Sequence, residues 1–167
     1  AAFFSPRQQI ISYRAGQAVI RVPRVEAPST RAYGIRVYAA AVVEGDFNDH
    51  AVMRFFLPML RHRDSSRIEA RCYSTTLRDD AYTAEVRTQS DAFVSIAGLA
   101  ETEAAGRLQA DDLDVVVDLA GHSAGGRPGI LAARPAPLQA SWIGYLDTTG
   151  LASVDFRITD AVADPPG

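Results

Sequence analysis

The sequence predicts an α/β fold: a Rossmann-like, mostly parallel sheet with helices on both faces. Two observations carry this expectation. Short runs rich in valine, isoleucine and alanine alternate with segments of helical spacing. Several of these runs, such as Asp114 to Leu119 (DVVVDL), are apolar at consecutive positions. Consecutive apolar residues are what a strand buried on both faces needs, and helices alternating with such strands cover a parallel sheet from both sides.

Residues 1–34 read as an N-terminal extension or linker. Gln17 to Val25 has strand character, but Pro6, Pro23 and Pro28 interrupt the stretch. Residues 35–167 read as one Rossmann-like domain. Ile35 to Val43 is a strand. Ala51 to Arg61 places Val52, Phe55, Phe56, Met59 and Leu60 near helical spacing, with Pro58 expected to kink or shorten the helix. Ile68 to Ser74 is a strand. Asp79 to Ser90 is a helix with acidic residues at its positive end. Phe93 to Ile96 is a strand and Glu101 to Ala110 a helix. Val115 to Leu119 is a strand. Pro128 to Ala133 is a short helix with proline in the first position. Gln139 to Tyr145 and Asp155 to Thr159 are the last strands. No repeat of 20–50 residues is visible.

At 167 residues the chain is long enough for one domain with its own core. The net charge of −3 and the lack of a basic run argue against nucleic acid as a partner. Every basic residue is arginine, which excludes lysine-based chemistry within this chain. Cys72 is the one cysteine and is expected to fill the core; its isolation fits a reducing, cytoplasmic compartment. No apolar run reaches the roughly 18 residues of a membrane span, so no membrane partner is expected. The chain lacks an initiator Met and ends at Asp-Pro-Pro-Gly, as a fragment or excised domain would.

Polar loops follow successive predicted strands, and ligands of open α/β sheets bind at the carboxyl ends of the strands. His50 lies in the first such loop. It can act as acid, base or hydrogen-bond donor near neutral pH, or cap the following helix. His122 and Ser123 follow Asp118. His122 is a candidate substrate contact, or a loop residue held by nearby backbone. Gly125-Gly126-Arg127-Pro128 can form a tight turn before a helix, with Arg127 a candidate for an anionic ligand. Gly144, Tyr145 and Thr148 lie at the end of the next strand. The three histidines have no metal-ligand spacing, so no metal site is expected. His62 sits among Arg61, Arg63 and Asp64 on a solvated helix end.

Three ordered motifs carry a resemblance to a known family. They are Gly45-Asp46-Phe47-Asn48-Asp49-His50, Asp118-Leu119-Ala120-Gly121-His122, and Ala133 to Gln139 with Trp142 and Gly144 to Gly150. Together they resemble the O-linked N-acetylglucosamine transferases and their bacterial relatives with tetratricopeptide repeats, over roughly residues 35–166. The resemblance implies a GT-B glycosyltransferase, with two Rossmann-like lobes facing each other across a cleft, of which this chain is similar to the N-terminal lobe. It implies inverting transfer of N-acetylglucosamine from UDP-GlcNAc to Ser or Thr hydroxyls of a protein or peptide acceptor, without metal or other cofactor. Some relatives transfer fucose from a guanosine diphosphate donor instead. His50 is then the catalytic residue on the acceptor side, and His122, Ser123, Arg127, Gly144, Tyr145 and Thr148 are substrate-binding. The C-terminal lobe, which holds most of the donor in that family, is absent from the sequence. The chain alone is therefore expected to be inactive; the alternative is a non-catalytic lobe serving as a protein-interaction module. Leu146-Asp147 departs from the family's Pro-Gly at that position.

Overall fold

The computed structural model describes residues 9–14, 17–18, 38–45 and 47–164. Eight strands form one sheet. They are β1 (Gln9–Arg14), β2 (Gln17–Ala18), β3 (Tyr38–Glu44), β4 (Ile68–Ser74), β5 (Ala92–Ser95), β6 (Val115–Asp118), β7 (Leu138–Trp142) and β8 (Phe156–Thr159). The helices are α1 (Met53–His62), α2 (Ala81–Gln89), α3 (Glu101–Ala110) and α4 (Pro128–Ala132). The strand order is β2-β1-β8-β7-β6-β3-β4-β5. Every pairing but the β1–β2 hairpin is parallel.

Consecutive apolar residues feed two cores, one on each face. Val42, Cys72 and Leu119 point to the side of α1 and α2. Val43, Tyr73 and Val116 point to the side of α3 and α4. Burial of both faces is why β3 and β6 carry apolar runs without polar alternation, whereas β4 alternates in its first half, where Glu69 and Arg71 are only half-buried. Cys72 is fully buried, as expected, and burial pushes its thiol pKa up to about 12.

The sequence expectation of a strand at 35–43 falls partly outside the described residues; β3 begins at Tyr38. The expected strand character of 19–25, the linker at 28–30 and Asp46 also lie outside them. Within the stretch read as an extension, Gln9–Arg14 pairs along β8 as a seventh parallel strand, and β2 turns back from it. The polar sequence QIISYR gave this strand no apolar run to be recognised by. Helix α1 runs through Pro58 to His62. The proline withholds a hydrogen bond from the Arg54 carbonyl, but Arg54 is exposed and water can take it.

One contact set ties the first polar loop to the body. Asp80 caps α2, accepting from Tyr82 N at 2.8 Å and Thr83 N at 3.0 Å. Its other oxygen accepts from Asp49 N at 2.7 Å. The Thr83 hydroxyl, fully buried, donates to the Phe47 carbonyl. The loop that carries His50 is thus pinned at Phe47 and Asp49. Replacing Thr83 with valine leaves the Phe47 carbonyl buried without a donor, and should cost about 1–3 kcal/mol in urea denaturation. An unchanged midpoint would show that the loop does not depend on this hydroxyl.

Candidate functional site

The strand order reverses between β3 and β6. From β3 the chain steps to β4 and β5 on one side; β6, β7 and β8 step away on the other. The chain leaves the carboxyl ends of β3 and β6 toward opposite sides of the sheet, and such a reversal is the usual ligand position in open α/β sheets. Gly45–His50 leaves β3, and Leu119–Arg127 leaves β6.

Backbone packs tightly at this edge. Gly45 and Gly125 meet with no side chain between them, and Thr75 Oγ1 from the β4 loop donates to Gly125 O at 3.2 Å. A Cβ on Gly144 would lie 1.7 Å from the Leu119 carbonyl oxygen, so only glycine fits. Gly121 has φ +56°, and a Cβ there would run into Tyr145. The β7 strand stops at Trp142, short of the expected Tyr145. Ile143 takes φ +61°, and Gly144 N bonds back to Trp142 O at 2.8 Å. A β-branched residue in that region is strained, and such strain gathers at functional sites. Here it swings Tyr145 back over the β6 loop.

Asp118 shapes that loop. Its side chain is buried, and it accepts from Ala120 N at 3.1 Å and Gly121 N at 2.9 Å. Burial raises its pKa; the two N–H groups and the charge of nearby His122 only partly offset this.

His122 bridges two loops. Its Nε2 lies 2.7 Å from Thr149 O, and its ring meets Tyr145 edge-on at 5.3 Å. The carbonyl can only accept, so Nε2 carries a proton, and in the neutral ring Nδ1 is then an acceptor. His122 is exposed at this junction. Ser123 is half-buried and donates to Ala120 O at 2.6 Å, which leaves its lone pairs to accept. Thr148, the chain neighbour of Thr149, is half-buried, and its hydroxyl accepts from Gly150 N at 3.2 Å.

His50 is exposed at the mouth of the β3 loop. Its Nδ1 accepts from Val52 N at 3.4 Å, a long contact at the start of α1. The start of α1 has no side-chain cap, so this contact is not the expected helix cap, and it leaves Nε2 unengaged by Val52. In the neutral ring Nε2 then carries the proton and can donate. Acting as a base would require release of the Val52 contact. Beside this loop lies an open hollow of about 510 Å³ lined by Asn48, Asp49, Arg78, Asp79 and Asp80.

Arg127 is placed differently from expectation. Its guanidinium donates to Ile96 O at 3.1 Å and Leu99 O at 2.6 Å, clamping the turn before α3. Its work here is to hold a loop. Arg134 likewise pairs with both oxygens of Asp155, at 2.9 and 3.0 Å. Gln139, fully buried, donates to Leu131 O and Ser153 O. Arg134-Pro135-Ala136-Pro137, between α4 and β7, is thus held at its first residue as a rigid connector. His62 is exposed at the end of α1, away from these loops. Among the described residues no group of three His, Cys, Asp or Glu side chains is placed to hold a metal. No helix among them is long and apolar enough to cross a membrane.

Sequence reasoning placed acidic residues at the start of the Asp79–Ser90 helix and Asp118 in a motif, but missed the contacts that Asp80 and Asp118 make, and it passed over Thr83. The Asp80–Thr83 pair had a signal: Asp-x-x-Thr before a helix is a capping pattern. Asp118 had a weaker one, an acid closing a run of valines.

Comparison with known proteins gives a consistent set of matches. The model of the family described as Glycosyl transferase family 41 matches residues 24–166. The probable UDP-N-acetylglucosamine–peptide N-acetylglucosaminyltransferase SPINDLY of Arabidopsis thaliana is 39% identical over 128 residues, 74% of this chain and 14% of that protein. The UDP-N-acetylglucosamine–peptide N-acetylglucosaminyltransferase of Caenorhabditis elegans is 31% identical over 125 residues, 74% of this chain and 11% of that protein. A solved structure of a mutant O-GlcNAc transferase from Thermobaculum terrenum superposes with TM-score 0.73 at 32% identity, over 75% of this chain and 24% of that one. The chain thus spans only a small part of the relatives it matches.

Two measurements check this site. Gly144→Ala should destabilise the fold by about 1–3 kcal/mol or more, because backbone must move to admit the methyl; full stability would contradict the close approach. Asp118 and Asp80 should respond oppositely to pH. The raised folded pKa of Asp118 means its contribution is fully present below the ordinary carboxylate value of 3.8 and is lost as pH rises through the folded value. Asp80 is held low, first by the Thr83 N–H, so its contribution is present above 3.8 and is lost as pH falls through the folded value. Relative to wild type, Asp118→Asn should therefore gain stability with rising pH, and Asp80→Asn should lose it. Parallel pH curves for wild type and both variants would overturn these assignments.

Proposed function

The chain belongs to glycosyl transferase family 41, and on that premise we propose that it is the N-terminal lobe of a protein O-GlcNAc transferase, contributing one wall of the cleft. The observation that carries this reading is the convergence of the β3, β6 and β7 loops at the strand-order reversal. That convergence presents His50 and the His122–Tyr145 pair at the carboxyl edge of the sheet.

In the proposed reaction the donor is UDP-GlcNAc and the acceptor a Ser or Thr hydroxyl of a protein. The acceptor oxygen attacks the anomeric carbon from the side opposite the diphosphate. The bond from that carbon to the diphosphate oxygen breaks, and its electron pair leaves with UDP. The configuration inverts. The hydroxyl proton passes to solvent or to a base, and His50 orients the acceptor through its outward Nε2. His122, with Nδ1 left to accept and Nε2 fixed on Thr149, lines the wall together with Tyr145, Ser123, Thr148 and the Gly144 turn. Catalysis of this kind depends on positioning and on stabilising the charge of the leaving diphosphate. A single wall cannot supply both, so the 167-residue chain alone should be inactive. Leu146 and Asp147 are both exposed and sit outside the tight backbone contacts, which supports a fold that tolerates their departure from Pro-Gly.

The test is transfer of labelled N-acetylglucosamine from UDP-GlcNAc to a Ser/Thr-rich peptide. A chain carrying this lobe and a second family lobe should label the peptide, and the isolated lobe should not. In the two-lobed chain His50→Ala should lower turnover by ~10²–10⁴, while His62→Ala on the far end of α1 leaves it intact. Labelling by the lobe alone, or full turnover with His50→Ala, would overturn the assignment.

A further inference from the structure

We infer that the open hollow beside the His50 loop takes a basic side chain, arginine or lysine, that flanks the Ser or Thr of the acceptor polypeptide. The identity of the occupant rests on the proposed function. The hollow of about 510 Å³ is lined by Asn48 and Asp49 from the β3 loop and by Arg78, Asp79 and Asp80 from the chain just before α2. Its charge is one-sided: the carboxylates of Asp49, Asp79 and Asp80 line it against the single guanidinium of Arg78. Asp80 accepts from the backbone N–H groups of Asp49, Tyr82 and Thr83. These bonds, that of Thr83 first, hold its pKa below the ordinary carboxylate value, so it stays ionised near neutral pH. Asp79 gives one oxygen to Arg87 at 3.0 Å. Asp49 is exposed, and its carboxylate has no partner among the described residues. Such a lining favours a cation. A metal ion is the wrong cation, because among the described residues no three His, Cys, Asp or Glu side chains are placed to hold one. An organic cation on a long stem suits an open hollow whose carboxylates stand apart.

Asn48 supplies a second and independent observation. It lines the same hollow at 8% exposure, and its Nδ2 has no hydrogen-bond partner. Buried polar groups nearly always have one, so an orphan donor beside a hollow marks the place of an absent acceptor atom. A half-turn of the amide exchanges its two ends, which lets a carbonyl oxygen in the hollow take the N–H. Arg78, exposed and without a side-chain partner among the described residues, also only donates. A basic peptide meets every demand at once. Its backbone carbonyls serve Asn48 and Arg78, and its cation serves Asp49 and Asp79. Placement agrees. Asn48 and His50 are two residues apart, so their Cα atoms lie within about 7.6 Å. An extended peptide advances about 3.3 Å per residue. The basic residue therefore belongs roughly two or three residues from the hydroxyl presented to His50.

The test needs no turnover, so its failure is distinct from failure of the proposed activity. The 167-residue chain, labelled with ¹⁵N, is titrated with blocked heptapeptides that carry serine at the centre and arginine, glutamine or glutamate two residues to either side. The arginine peptide should move the backbone signals of residues 48–50 and 78–80 and the side-chain NH₂ pair of Asn48. It should bind at least about fivefold more tightly than the glutamine peptide, the scale of one exposed ion pair, with the glutamate peptide weakest. In about 1 M sodium chloride the preference should fall below about twofold. Asp49→Arg should reverse the order of the arginine and glutamate peptides. Should that variant disturb signals across the whole domain, Asp49→Asn replaces it and should halve the preference or more. An arginine peptide less than about fivefold better than its glutamine counterpart would overturn the proposal. So would shifts confined to another surface, or a preference that survives the salt or the substitutions. Failure of a two-lobed chain to transfer sugar, with these results intact, would remove the transferase reading and leave a site for basic peptides.

Discussion

β3 and β6 lie side by side, yet the chain leaves them in opposite directions, and the rest of the molecule answers to that divergence. It marks the edge of the sheet at which open α/β folds take their ligands. It also forces two loops to start from neighbouring strand ends without colliding. Glycine backbone at positions 45 and 125 makes that possible, and the buried Asp118 carboxylate folds the β6 loop back on its own N–H groups. Tyr145 can cross from β7 because Gly121 offers no side chain, and His122 can then bond Thr149. The candidate site is a consequence of strand order before it is a consequence of any one polar residue.

The loop of His50 depends on a second, more ordinary device. Asp80 serves α2 with one oxygen and the His50 loop with the other, and Thr83 repeats the arrangement through its hydroxyl. A helix cap is shared with the loop that carries His50. Position of the histidine is thereby coupled to formation of α2, a coupling that rigid scaffolds use to present residues on otherwise mobile segments.

Much of the fold was legible because burial on both faces leaves a plain trace. Val115–Leu119 could be read as a strand from consecutive apolar residues and Ile68–Ser74 from its bounded strand-like run, and the alternation with helices dictated a parallel sheet. Two features were not legible. Gln9–Arg14 joins the sheet through backbone pairing with β8, and its sequence lacks an apolar run. The early end of β7 arises from Ile143 at positive φ, a conformation that isoleucine's own preferences oppose and tertiary contact imposes. For the site, the loops were predictable from their place after strands. The partners were not: Arg127 looks like an anion ligand in sequence, and only the fold brings the Ile96 and Leu99 carbonyls to it. The family resemblance, carried by motifs at the ends of β3, β6 and β7, agrees with the matches to family 41 transferases.

The central claim is that, in a two-lobed chain, the crevice faced by the β3 and β6 loops is where the acceptor and sugar meet. A crystal structure of a two-lobed chain containing this lobe, bound to an unreactive UDP-GlcNAc analogue and an acceptor peptide, tests it most directly. The account predicts the acceptor hydroxyl within about 3.2 Å of His50 Nε2, with the His122–Tyr145 pair on the wall of the same crevice. Acceptor and sugar bound elsewhere, with the β3 and β6 loops facing solvent, would contradict it.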